Sequence, residues 1–447
     1  MSGIAGIACP GKKAPVKRML DRITHRGPAG NEIIETESAT LGIVWTELQE
    51  SAISDLKHRK MACDNSSTGR FAEAQATANG LVLKRDRLGV APLYYGRTED
   101  GNLCFASEIK ALLEITQDLH EFPPGQSYDG EQFERYYQLS PASVLEDPPE
   151  RLAEGLRQRL ETAVEKRIAH EEMGAWLSGG LDSSALAALA RPHVSHFHTF
   201  AAGIPGAPDL EHARAVAEFI QSDHHEVVVG LQDMLAVLPQ VIYHLESFDA
   251  LLVRSSITNF LVARLAAEYV PAVFSGEGGD ELFAGYAYLK KLRLDSLARE
   301  LVDITGRLHN TALQRVDRSA AAHGTVAYVG LLDPEVVDYA MGIPARYKLH
   351  NGMEKWILRR AVSDVLPRSV VRRPKAKFWE GAGVSEMLAE QAEELISDAE
   401  FDQQRVLPNG WQLSTKEEFW YYQIFRDHYG DLENMAWMGR TKGAPVQ

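Results

Sequence analysis

The sequence predicts an α/β protein in two unlike parts. A strand-rich α+β segment occupies residues 1–125, and a doubly wound parallel sheet with extra C-terminal helices occupies residues 150–447. Three observations carry this. Residues 173–191 pass from a short apolar run, Ala175–Leu177, through Ser178-Gly179-Gly180 into the helix-forming run Ala185–Ala190. From His198 to Phe274 strand and helix patterns alternate, which is the signature of βα units in a parallel sheet. Before residue 125 the pattern is one of short strands broken by turns, closing on Pro123-Pro124-Gly125.

Taken in order, Ser2–Cys9 is a small-residue strand. If Met1 is removed, Ser2 sets a hydroxyl beside a free α-amine, the nucleophile and base of N-terminal hydrolases. Small residues are also common at this position for no catalytic reason. Alternation over Leu81–Val90 and Leu93–Tyr95 suits strands. Residues 126–149, with Pro141, Pro148 and Pro149, read as a linker. Leu152, Leu156, Leu160, Ala163 and Ile168 give residues 150–170 a helical face. Strands follow at His198–Ile204, His225–Val229 and Val270–Phe274, and helices at Asp209–Ile220, Leu231–Val241 and Thr258–Tyr269. Beyond residue 287 the pattern is helical.

A strand, a glycine turn and a helix N-terminus make an anion site, because free backbone N–H groups and the helix dipole face the turn. Asp182, Ser183 and Ser184 are of the right types to cap that helix. There is no Gly-Lys-Ser/Thr and no Gly-x-Gly-x-x-Gly here, so neither common nucleotide loop applies. Ser178-Gly179-Gly180-Leu181-Asp182-Ser183-Ser184 instead resembles the pyrophosphate loop of ATP pyrophosphatases, which cut ATP between the α and β phosphates. Taken alone, a Ser-Gly-Gly would be an ordinary turn.

A second stretch, Ser275-Gly276-Glu277-Gly278-Gly279-Asp280-Glu281-Leu282-Phe283-Ala284-Gly285-Tyr286, follows a predicted strand, which puts its acids at the ligand edge of the sheet. Acids so close together are costly to hold unless solvated or facing cations. A third, Arg372-Arg373-Pro374-Lys375-Ala376-Lys377-Phe378, is basic. With His25-Arg26-Gly27-Pro28, Lys84–Tyr95 and Phe105–Lys110, these stretches resemble the asparagine synthetase B family nearly end to end. In that family an N-terminal Ntn-type glutaminase domain supplies ammonia to an ATP-pyrophosphatase synthetase domain.

The resemblance implies a role for each matching residue. Leu177, Ser178, Ser275 and Gly276 would border the adenine and ribose of ATP. Gly179, Gly180, Ser183 and Ser184 would surround the pyrophosphate. Asp182 and Asp280 would bind Mg²⁺, Glu277 would face the acyl substrate or the amine, and Lys375 would be the catalytic cation, with Lys377 its local competitor. Charge on Lys375 would stabilise the negative charge that builds at the α-phosphate and the tetrahedral adduct.

The chain also departs from the family. Ser2 stands where the glutaminase nucleophile is Cys, and Ala29 where the His-Arg-Gly-Pro segment continues with Asp. The interval between Leu41 and Leu83 lacks the segments that hold glutamine and the oxyanion. Residues 1–125 are therefore expected to be a shrunken glutaminase-like domain without its chemistry, with Ser2 a vestige of the nucleophile position. Leu251 and Leu252 replace two Thr of asparagine synthetases, so the acid accepted would differ from aspartate, unless both leucines are core. A β-lactam synthetase of this family closes a ring in that way.

Composition narrows the classes further. A formal net charge of −15 argues against nonspecific binding to nucleic acid or anionic membrane. Cys9, Cys63 and Cys104 have no metal-ligand spacing and fit a reduced, cytoplasmic protein. No apolar run reaches the ~20 residues of a membrane span, and no secretory signal is visible. Asp223-His224-His225-Glu226 has metal-binding residue types, but neighbours on a strand point to opposite faces, which favours structural histidines. The expected activity is an AMP-forming carboxylate–amine ligase using ATP and Mg²⁺, with ammonia or another amine as acceptor and no glutamine hydrolysis. Ammonia-dependent asparagine synthesis, intramolecular ring closure, a catalytically retired binding protein and an RNA-modifying relative are the alternatives; the acidic charge and absent Cys pairs oppose the last. Small molecules are the expected partners, and a homodimer is compatible with the sequence.

Overall fold

A computed structural model describes residues 2–66, 69–78, 80–374 and 387–442. The N-terminal strands are β1 Gly3–Ile7, β2 Gly30–Glu35, β3 Thr40–Trp45, β4 Met61–Ser66, β5 Arg70–Thr77, β6 Gly80–Arg85, β7 Tyr94–Arg97, β8 Leu103–Ala106, β9 His120–Glu121, β10 Gln126–Tyr128 and β11 Phe133–Arg135. They form two antiparallel sheets in the orders β2-β3-β1-β8-β7-β9 and β11-β10-β6-β5-β4. Ile4, Leu41, Ile43, Ala72, Ala74, Leu83 and Phe105 meet in one core between the two sheets. The small residues of β1 follow from crowding: a Cβ on Gly6 would lie 2.7 Å from the Phe105 ring. Helix α1, Lys13–Arg22, covers the other face with Val16, Met19 and Leu20, and two short helices follow in this half, α2 Ile53–His58 and α3 Ile109–Leu112.

Two expectations change here. The strand predicted over Leu81–Val90 stops at Arg85, because the Asp86 carboxylate accepts the N–H groups of Leu88, Val90 and Ala91 and turns the chain. The expected linker begins later than residue 126. Gln126–Tyr128 pairs with β6 and with Phe133–Arg135, and Tyr128 packs among Tyr95 and Phe133, so an aromatic cluster holds this stretch to the sheet.

In the second half, α4 Pro149–Glu165 buries Leu152, Leu156 and Leu160. The strands are β12 Glu172–Trp176, β13 His196–Gly203, β14 Asp223–Val228, β15 Ala272–Phe274 and β16 Val326–Tyr328. They form one sheet, β14-β13-β12-β15-β16, with every neighbouring pair parallel. Strand β16 lies in the region expected to be purely helical; three apolar residues are too few to show alternation. The helices α5 Leu181–Ala190, α6 Pro208–Ile220, α7 Leu231–Leu245, α8 Ala250–Ala267, α9 Gly279–Phe283 and α11 Ala312–Ala321 pack around this sheet, whereas α10 Leu294–Gly306 buries Leu297, Leu301 and Ile304 in a separate cluster with Ala284 and Leu289. Helix α8 begins well before the expected Thr258, because Asp249 caps it through the Leu252 N–H at 3.0 Å. Among the described residues it alone is long and apolar enough to cross a membrane, but 67% of it is buried inside the protein, as a core helix must be.

The chain runs outward from β12 to β13 and β14 on one side, and to β15 and β16 on the other. The order therefore reverses between β12 and β15, and a crevice opens at their carboxyl ends. Ser178-Gly179-Gly180 leaves β12 there, and Ser275-Gly276-Glu277 leaves β15 beside it.

Candidate active site

The turn after β12 is shaped by glycine and locked by serine. Gly179 has φ +67°, and a Cβ there would lie 2.5 Å from His212, so no side chain fits. Ser178 N–H donates to Ser183 Oγ at 3.2 Å, and the two hydroxyls lie 3.0 Å apart. Gly180, not Asp182, is the N-cap of α5, and no side chain caps the helix. The capping role expected of Asp182, Ser183 and Ser184 is thus not taken, which leaves the first N–H groups of α5 facing the crevice.

The loop after β15 packs directly on that turn. A Cβ on Gly276 would lie 2.6 Å from the Ser183 nitrogen, and one on Gly279 would collide with the Asp182 carboxylate. Gly278 has φ +96°. The glycines of the second motif let its backbone close onto the first, so two distant stretches become one surface.

Lys355 sits at the centre of this surface. It holds φ +56°, a left-handed conformation that is costly for a side chain other than glycine, and it is the N-cap of helix Trp356–Ala361. Its ammonium contacts the Asp182 carboxylate and lies 2.6 Å from Asp280 Oδ1. Lys355 is only 2% exposed, so its charge depends on these carboxylates.

A cavity of about 260 Å³ lies over the three residues. Its walls include Ser178, Ser275, Glu277, Tyr286 and Arg315. Arg315, from α11, donates to Glu277 Oε1 at 2.6 Å. Tyr286 donates its hydroxyl to Glu281, a buried carboxyl pushed up to about 7, first by burial and then by the neighbouring Asp280. Arg359 and Arg373 also border the cavity, each already bonded elsewhere: Arg359 to Glu354 and the Val371 carbonyl, Arg373 to Asp209 and the Gly179 carbonyl. Two carboxylates meeting one cation beside a glycine turn are a donor set that fits Mg²⁺, which takes one or two carboxylates and completes its shell from phosphate and water. Among the described residues no group of three or more His, Cys, Asp and Glu could hold a metal without such help.

Of the residues expected here, Leu177, Ser178, Gly180, Asp182, Ser183, Ser275, Gly276, Glu277 and Asp280 line the cavity. Gly179 shapes the turn from behind, and Ser184 is fully buried in α5; neither is among the lining residues. Leu251 and Leu252 do not line it. They belong to the first turn of α8, where Leu252 is buried and Leu251 is 40% exposed, and the cavity instead meets Asn259 and Val262 further along that helix. Lys375 and Lys377 lie outside the described residues. Sequence reasoning missed Lys355 and Arg315, which nothing local marks, and gave no role to Tyr286, the last residue of the acidic stretch.

The histidine stretch is a packing device. His224 bonds to Thr199 at 2.9 Å and to Glu226 at 3.1 Å, while His225 bonds to His198 and stacks on Phe200 and Tyr269. The two rings take separate neighbours, as alternation along β14 requires.

Ser2 is 1% exposed. Its N–H and hydroxyl both lie on Asp64 Oδ1, at 3.2 and 3.0 Å, and Arg26 Nε donates to its carbonyl at 3.0 Å. Arg26 and Arg70 both pair with Asp64, so the Ser2 hydroxyl sits inside a buried ion network.

Residues 155–303 and 293–442 match the asparagine synthase family, and residues 57–147 match the glutamine amidotransferase domain. A probable glutamine-hydrolysing asparagine synthetase of Dictyostelium discoideum is 34% identical over 409 residues, covering 83% of this chain and 73% of that protein. The corresponding Schizosaccharomyces pombe protein is 35% identical over 407 residues, covering 81% and 73%. Asparagine synthetase B of Escherichia coli K12 is 34% identical over 386 residues, covering 80% and 69%.

Proposed function

We propose, from the premise that this chain belongs to the asparagine synthetase family and is thus an ATP-dependent amidating ligase, that it joins a small carboxylic acid to ammonia or another amine without hydrolysing glutamine. The carrying observation is the meeting of the two motif loops over Lys355 at the strand-order reversal. A substrate carboxylate oxygen attacks the α-phosphorus of ATP, and the bond to the β-phosphate oxygen breaks to release pyrophosphate. An amine nitrogen then attacks the acyl carbon, the carbon–oxygen bond to AMP breaks, and the amine loses a proton.

Each side chain has a place in this scheme. The Ser178–Ser183 turn and the α5 N-terminus receive the phosphates. Asp182 and Asp280 would hold Mg²⁺, which supplies charge neutralisation for the pyrophosphate when bound. Lys355 screens the two carboxylates from each other. Glu277 and Arg315 present opposite charges to the acid and the amine. Lys375 is assigned the charge that stabilises the reacting centre.

The first 135 residues act as scaffold in this reading. The Ser2 hydroxyl is buried against Asp64, and the glutamine-holding segments are missing from the sequence. Aspartate is the acid to try first, since the relatives are asparagine synthetases. Pyrophosphate release measured over a panel of acids and amines tests the reading; absence of release with every pair, under conditions where ATP binds, would leave a binding protein as the better account.

A further inference from the structure

The charged network around Ser2 does not end within the N-terminal half. Asp317, on α11, accepts from Arg26 Nη1 at 2.8 Å, Arg26 Nη2 at 3.1 Å and Arg70 Nη2 at 2.9 Å. The next residue, Arg318, pairs with Glu108 Oε1 at 2.8 Å, donates to the Ser107 carbonyl at 3.2 Å, and donates to Glu246 Oε2 at 2.9 Å. Arg26 also holds Glu108 at 2.8 Å, which closes the network into one unit. Asp317 and Arg318 have side chains only 5% and 2% exposed. Of these contacts, the one to Glu246 alone comes from the second half.

Helix α11 therefore has two ends with different duties. Its first turn carries Arg315 to Glu277 in the cavity wall. Its middle carries two buried charges whose counterions are mostly supplied by the other half of the chain. Burial alone would raise the Asp317 carboxyl, but Arg26 and then Arg70 hold it down at about 2, so the ion pairs persist at neutral pH. A buried ion pair stripped of one partner is strongly destabilising, so the N-terminal residues stabilise α11 in this position.

We propose that the N-terminal half works as a clamp on α11, and that Arg26, Arg70 and Glu108 are positioning residues for the Arg315–Glu277 pair. The clamp follows from these contacts and holds whether or not the chain is an amide ligase. It gives the strand-rich half a role in the synthetase cavity that needs no glutamine chemistry.

Hydrogen–deuterium exchange by mass spectrometry on the full chain tests this without a substrate, so failure of the ligase reading cannot be mistaken for failure of the clamp. The variants are Arg26→Gln, Arg26→Lys and Glu108→Gln. The decisive peptide covers residues 275–279, which carry Glu277. In Arg26→Gln its amides should exchange about fivefold faster, with β12 and β13 unchanged, since local opening can be raised without global unfolding. Arg26→Lys, which keeps the charge but not the forked donors, should recover part of the protection. If Arg26→Gln does not fold, Glu108→Gln decides, because it leaves both bonds from Arg26 to Asp317 in place. Unchanged exchange at 275–279 would overturn the clamp, and so would equal acceleration across β12 and β13, which would mark a merely general loss of stability.

Discussion

Lys355 and Asp280, far apart in the chain, meet with ammonium and carboxylate 2.6 Å apart in the floor of the cavity. Asp182 touches the same ammonium from the other side. Gly285 makes room for the meeting, since a Cβ there would collide with both the Asp280 carboxylate and the Lys355 side chain.

Three charges sharing one place should not respond independently. Asp182→Asn and Asp280→Asn should each reduce Mg·ATP-dependent pyrophosphate release by at least ~10²-fold, and the double variant should be little worse than either single one. Lys355→Met should melt at a lower temperature in EDTA than in excess Mg²⁺, because a bound cation would replace the lost ammonium. Thermal unfolding with and without Mg²⁺ checks this; a Lys355→Met midpoint that ignores Mg²⁺ would remove the metal from Asp182 and Asp280.

Glutamine should not be turned over. Glutamate formation is the measurement, with and without ATP. Steady glutamate release that disappears in Ser2→Ala would restore an N-terminal serine mechanism in spite of the buried hydroxyl.

Lys375→Ala should lower kcat by about 10²–10³ while leaving ATP affinity near the parent value, because its charge matters where negative charge develops. Lys377→Ala is the control and should be mild. A dead Lys377→Ala beside a mild Lys375→Ala would move the catalytic charge two residues along.

His244 gives a pH prediction. Its ring packs against His25 and Phe260, and its Nδ1 is buried with no partner among the described residues. Burial, then the charges of His25 and Lys110, lower it to about 2, with Glu108 opposing. The folded state thus refuses a proton that the unfolded chain accepts below its ordinary value of about 6.5. The stability tied to the neutral ring is complete above that value and is lost as pH falls towards 2. His244→Phe should therefore remove up to about 1.4 kcal/mol per pH unit from the slope of stability between pH 6 and 4. Urea unfolding across that range measures it, and equal slopes in variant and parent would refute it.

Much of the fold was legible because its signals are local. Ser178–Ser184 carries its turn and helix start in consecutive residues, and Ser275–Glu281 follows an apolar strand. The alternation from His198 to Phe274 yields the βα order directly. Signals failed where an element is short or held by remote partners: β16 has three residues, and Gln126–Tyr128 joins the sheet because Tyr128 packs on Tyr95 and pairs with Leu83. Leu251 and Leu252 lie off the cavity lining for a related reason, since spacing along α8 does not reveal which turn of the helix reaches the cavity.

The residue types at both loops of the cavity, and the strand that each loop follows, are written in neighbouring residues, through backbone geometry at glycine turns and hydrophobic periodicity; the strand order that sets the loops side by side is not. Only the tertiary structure decided which cations face the acids. Lys355 and Arg315 lie on separate elements with no shared spacing, and they meet Asp182, Asp280 and Glu277 through the packing of a left-handed helix cap and of α11. An ion pair depends on a distance of a few ångströms in space, and separation along the chain carries no information about that distance.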